Sequence, residues 1–149
     1  MKINSAIAVA AIAAVTFAAT AVIAQQDPIA ARKALMKANG ADARTAAGMA
    51  KGDTPFDLAV AQKIFANYAE AGAKLPGLFP ANSKTGGDTA ASPKIWDDMA
   101  GFKAASDKFA ADAKAAGASV KDLDSFKAGF GAVSRNCGSC HETYRIKKS

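Results

Sequence analysis

Phe126-Lys127-Ala128-Gly129-Phe130-Gly131-Ala132-Val133-Ser134-Arg135-Asn136-Cys137-Gly138-Ser139-Cys140-His141-Glu142-Thr143-Tyr144 carries two patterns at once. Phe126, Phe130, Val133, Cys137, Cys140 and Tyr144 recur at alternating intervals of four and three, the rhythm of a helix face buried against other helices. The stretch also contains Cys137-Gly138-Ser139-Cys140-His141, and His141 is the only histidine in the chain. This is the spacing of covalent haem attachment. The two thiols add to the vinyl groups of one haem as thioethers. A histidine directly after the second is then carried beneath the iron, where its imidazole can ligate. Gly138 and Ser139 are small enough for a porphyrin edge to lie close to the backbone.

Other chemistries fit the trio less well. A disulfide between helical residues three apart is sterically awkward. A thioredoxin-like pair wants a βαβ context that this sequence lacks. Zinc wants about four ligands, and two Cys with one His fall short. Two buried structural cysteines beside a surface His would leave unexplained why the sole His falls here.

Upstream the same heptad-like spacing repeats. Ile95, Met99, Phe102, Ser106, Phe109, Ala113 and Ala116 form one seam, and Leu58, Ala61, Phe65, Tyr68 and Gly72 another. The inward face of the first segment is mostly Ala and Gly. Asp27-Pro28, Thr54-Pro55 and Ser92-Pro93 each put a capping side chain before a proline, and Ser119 with Asp122 reads as a variant capping box. Gly52, Gly72 and Gly117 mark the ends. These signals predict helices over about 28–51, 55–72, 93–116 and 120–147. The fold class is all-α: an antiparallel, up-down-up-down four-helix bundle with haem near one end. Residues 73–91 form a long connection. Its apolar half, with Leu75, Leu78 and Phe79 between Pro76 and Pro80, is expected to pack as a flap over the bundle end. Its polar half, 82–89, is expected to be mobile.

At the other terminus, Lys2 precedes an uncharged, Ala-rich run from Ala6 to Ala24, after which Gln25-Gln26-Asp27 turns polar. That is the layout of a cleaved secretory signal peptide over 1–24, leaving a single haem-binding domain over 25–149. An uncleaved anchor is the alternative, since the run approaches the roughly 20 residues needed to span. The expected location is the periplasm, with no stable membrane insertion after cleavage. The net charge of +6 is mild, and no Lys/Arg run or aromatic–basic alternation suggests nucleic acid. It can still bias encounters with an acidic redox protein partner. No Ser–His–Asp, paired-carboxylate or phosphate-loop arrangement points to an enzyme.

The chain resembles the class II cytochromes c, the cytochrome c′ family, through Cys137-Gly138-Ser139-Cys140-His141-Glu142 with Tyr144-Arg145, and through Arg32-Lys33-Ala34-Leu35-Met36-Lys37. Lys33 departs from the Gln of many relatives. Leu75-Pro76, Leu78-Phe79-Pro80 and Ser92-Pro93-Lys94-Ile95-Trp96 look more specifically like the low-spin branch, in which iron has two protein ligands. The resemblance implies one haem c per chain and single-electron transfer, and a homodimer is compatible with it. It suggests that Arg32 meets a haem propionate, a solvated surface Arg being the plainer alternative. Arg145 follows His141 by one turn and could meet a propionate or cover the His edge, though a basic residue at a helix C-terminus needs no special reason. The five-coordinate branch leaves the sixth side open and binds gases such as nitric oxide.

Geometry narrows the second iron ligand to two methionines. Helix one begins at the end where helix four finishes. Met36 lies roughly 12 Å along helix one, and His141 roughly 9 Å from the same end of helix four. Met49 is roughly 30 Å along and out of reach. Met99 lies about 9 Å into helix three on the buried seam and stays open on spacing alone. The low-spin resemblance tips the choice to Met36, with Met36 packing over an open iron as the alternative.

Overall fold

Every long helix starts at an aspartate. The computed structural model describes residues 27–147, so the expected signal segment lies outside the described residues. Asp27 Oδ1 accepts from Ile29 N at 2.9 Å and opens α1 (Pro28–Lys51). Asp57 Oδ1 accepts from Val60 N at 3.0 Å and opens α2 (Leu58–Lys74). A single turn, α3 (Lys94–Asp97), follows Ser92-Pro93. Asp98 then breaks the helix at φ −135°, ψ 59° and caps α4 (Met99–Ser119) through Gly101 N at 2.9 Å. Asp122 caps α5 (Leu123–Tyr144), sharing a reciprocal capping box with Ser125.

Three expected starts therefore move. Thr54-Pro55 stays outside α2, Ser92-Pro93 opens only the short α3, and Ser119 closes α4 by donating to Ala116 O at 3.2 Å. In each case a carboxylate a few residues on takes the cap, because an anion also meets the positive end of the helix dipole. The far end of α1 is as expected: Gly52, at φ 83°, takes the left-handed conformation that a helix C-terminus favours.

The long helices close a ring in which α1 packs on α2 and α5, and α4 packs on the same two. This is an all-α four-helix bundle. Gly72 is not a terminator. A Cβ there would sit 2.9 Å from Ala110 Cβ, Ala110 N and Ser106 O, so the glycine lets α2 and α4 approach closely. Gly117 likewise lies inside α4.

The core is in two parts. Phe65, Ala113, Phe126 and Val133 are fully buried in one cluster, with Phe56 and Phe130 packed on it. Leu75, Phe79, Ile95, Phe102 and Tyr144 form the other, their rings edge to face at 4.8 Å (Phe79–Phe102) and 5.3 Å (Phe102–Tyr144). The apolar half of the 73–91 connection reaches this second cluster through the 3-10 turn Leu75–Leu78, and Trp96 Nε1 donates to Phe79 O at 3.1 Å. The polar half is tied down rather than loose. Arg32 bonds it to α1, and an isolated antiparallel bridge joins Ala91 to Arg145 just past α5. Among the described residues no helix is long and apolar enough to cross a membrane.

Candidate haem-binding site

The second cluster does not fill its end of the bundle. It borders a cavity of about 490 Å³, within the roughly 300–1,000 Å³ range of small-molecule and cofactor sites. Met36 of α1, Leu75, Phe79, Ile95 and Phe102 give it apolar walls. Cys140, His141 and Tyr144 line it from α5, and Arg32, Lys33 and Arg145 bring positive charge to it. An apolar chamber with cations beside it suits an apolar macrocycle that carries two carboxylates.

Five of the six residues singled out from sequence meet here: Met36, Cys140, His141, Arg32 and Arg145. Cys137 lies one turn before Cys140 on α5, exposed, whereas Cys140 is half-buried, and neither is in a disulfide. Gly138 between them has open space where a Cβ would be, which leaves the helix surface clear for a porphyrin edge. Met49 is buried in the other cluster. Met99 packs on the haem-end cluster but does not line the cavity.

Local environment suits ligation and thioether formation. Desolvation, then the charge of Arg145, lowers the His141 pKa and keeps its imidazole neutral, the form that binds metal. Desolvation by the surrounding protein pushes the Cys137 thiol up although the residue reaches the surface, and desolvation with the neighbouring Cys137 does the same to Cys140. Neither thiol is therefore an activated, thiolate-like redox cysteine.

Arg32 has a function that local pattern does not show. It is 4% exposed, and its guanidinium makes four hydrogen bonds to residues 78–89. It also lies over the Phe79 ring at 4.6 Å. Burial lowers its pKa, partly offset by Asp27. The plain alternative of a solvated surface arginine is thus excluded. Sequence reasoning also missed Ser83 and Thr89, whose only signal was their place in a polar loop, and the bond from Tyr144 to Asp98.

Residues 27–145 match the family described as Cytochrome C′. Among curated relatives, a cytochrome c′ of Rhodopseudomonas palustris is 53% identical over 85% of this chain and 87% of its own length. A cytochrome c-556 of the same organism is 34% identical over 91% of this chain and 93% of its own. The solved structure of a cytochrome c′ from Rhodopseudomonas palustris superposes with a TM-score of 0.80 at 53% identity, covering 84% of this chain and all of that one. With nearly the whole described chain matched and the fold shared, the protein belongs to the cytochrome c′ family.

Proposed function

We propose that this chain is a periplasmic monohaem c-type cytochrome that carries single electrons, its iron held by His141 and Met36. Family membership supports the coarser part, a haem electron carrier with covalently bound haem c. The observation that carries the finer part is that Met36 and His141, from two different helices, line one apolar cavity together with Cys140.

When bound, the haem supplies one-electron chemistry through its iron. The chain's own residues do the rest. Cys137 and Cys140 hold the group covalently to α5. His141 presents a neutral imidazole. Met36 offers a soft thioether. Phe79, Ile95 and Phe102 line the cavity and would keep water from the group, which together with the ligand residues would set its potential. Arg145 is better placed than Arg32 to meet a propionate, because four of Arg32's donors are bonded to the loop. Residues 1–24 direct export and are removed, leaving 25–149 to meet redox protein partners. Electron carriage of this kind is not enzymatic catalysis.

A second reading has its own support. The 53%-identical relative carries the cytochrome c′ name rather than the c-556 name. In that reading Met36 packs over an open iron that binds nitric oxide or another gas. Absorption spectra of both oxidation states separate the two: low-spin bands support His–Met ligation, and high-spin bands support the open site.

A further inference from the structure

One side chain ties α1 to the segment that walls the cavity. Arg32 Nη1 donates to Leu78 O at 3.2 Å and to Ser83 Oγ at 2.9 Å. Its Nη2 donates to Ser83 O at 2.9 Å and to Thr89 Oγ1 at 2.7 Å. The acceptors are Leu78 in the apolar half of the connection and Ser83 and Thr89 near the two ends of its polar half, and Thr89 with the following Ala90 and Ala91 lines the cavity. All four are neutral oxygens, so beyond the charge of Asp27 the buried cation is compensated by oriented dipoles that the closed segment supplies.

The same helix face adds two supports. A Cβ on Gly87 would sit 3.1 Å from Ile29 Cδ1, so the loop backbone lies close against α1. Lys33 Nζ is 3.6 Å from Asp88 Oδ2, an exposed pair of small worth. The far side of the segment is fixed separately, by Ser92 N to Tyr144 O at 3.0 Å and Ile146 N to Ala90 O at 2.9 Å. Lys84 Nζ, 3.7 Å from Asp97 Oδ1, adds an exposed tie to α3, so the bonds of Arg32 are the buried polar anchorage between the stretch and α1. Met36, the proposed ligand, lies one helical turn beyond Arg32 on the same face of α1.

We propose that Arg32 is a positioning residue: it latches residues 81–91 over the cavity and thereby limits how fast solvent and small ligands reach the Met36 side of the site. The latch stands on the hydrogen bonds alone. Only the identity of what lies behind it rests on the haem reading.

The test uses the mature, haem-loaded protein and two routes to the open state. Arg32→Met keeps the length and apolar stacking and removes the donors. Ser83→Ala with Thr89→Val keeps Arg32 and removes two acceptors, and it carries the test if the first variant does not fold. Amide hydrogen exchange in 81–91 should speed up by about tenfold or more, the scale of lost hydrogen bonds to a charged group. Core amides of α2 and α4 should keep wild-type protection, and Arg32→Lys should recover part of the loss. Carbon monoxide should bind the reduced variants faster than wild type. Unchanged exchange in 81–91, or a rise spread evenly over the bundle, overturns the latch. An opened segment with unchanged carbon monoxide binding overturns its control of access. Absence of haem from the wild type would sink the proposed function, while the exchange data would still judge the latch.

Discussion

Tyr144 donates its phenolic hydroxyl to Asp98 Oδ2 at 3.1 Å, joining the last turn of α5 to the break between α3 and α4. Asp98 is doing two jobs, since its other oxygen caps α4. Burial, then the bond to Asp98, holds the Tyr144 phenol above its ordinary pKa, so it stays a donor. Tyr144→Phe should lower stability by about 1 kcal/mol, the worth of one hydrogen bond. Asp98→Ala removes cap and bond together and should lower it by about 2 kcal/mol. Urea unfolding of the two variants checks the order. A Tyr144→Phe loss larger than that of Asp98→Ala would contradict it.

Two glycines should respond in opposite ways to the same substitution. Gly72→Ala drives a methyl into Ala110 and the Ser106 carbonyl at 2.9 Å, in backbone that cannot yield without parting α2 from α4. A loss of about 1–3 kcal/mol follows from overpacking. Gly131, inside α5, has nothing within 4 Å of its added Cβ. Gly131→Ala should stabilise by about 0.5–1 kcal/mol through helix propensity. Denaturation midpoints moving in the same direction would refute this pairing.

Much of this was legible in the sequence because bundles are written in local code. The seam from Ile95 to Ala116 keeps its phase across the break at Asp98, so periodicity saw one helix where the backbone makes two. The haem motif was legible for the same reason, its residues being neighbours in sequence. Helix starts were less so, because Thr54, Ser92 and Ser119 look like caps until a nearby Asp is found to have taken the role. The partners of Arg32 were not legible at all. They lie 46 to 57 residues away, and no period in a sequence encodes a side chain reaching that far.

Tyr68 predicts how the protein fails in alkali. Burial first, then the charges of Cys137 and Asp42, raises its pKa far above the ordinary phenol range. The folded state therefore keeps a proton that the unfolded chain loses above about pH 10. Stability from this group is complete below that pH and falls as pH climbs toward the folded value. Because burial is the leading cause, a thioether at Cys137 does not remove the effect. Tyr68→Phe should flatten the drop in urea midpoint between about pH 9 and pH 11. An unchanged slope would show that other groups govern it.

The proposed thioethers at Cys137 and Cys140 make haem release a test of attachment. Acid–acetone should leave the haem with the wild-type protein, because only non-covalent contacts yield to it. Changing both cysteines to Ser should make the haem extractable. It should also destabilise the bundle, since the cavity of about 490 Å³ would lose its anchored occupant. Recovery of free haem from the wild type would overturn covalent attachment.

In the proposed reading, the spin state of the iron turns on Met36. Three methionines follow Met1, and the structure separates them. Met49 is 3% exposed in the cluster away from the cavity and serves the core. Met99 opens α4 beside Asp98 and packs on the haem-end cluster without lining the chamber. Met36 lines it with His141, half-buried on a helix that packs directly on α5. Met36 and His141 would hold the iron from two helices, and a soft thioether would raise its potential. Met36→Ala should convert a low-spin spectrum to a high-spin one and admit carbon monoxide readily, while Met99→Ala keeps the wild-type bands. Both side chains are partly buried against the same cluster, so Met99→Ala controls for lost packing alone. A wild type that is already high-spin, or a Met36→Ala variant that stays low-spin, would remove Met36 from the iron and return the site to the open, gas-binding reading.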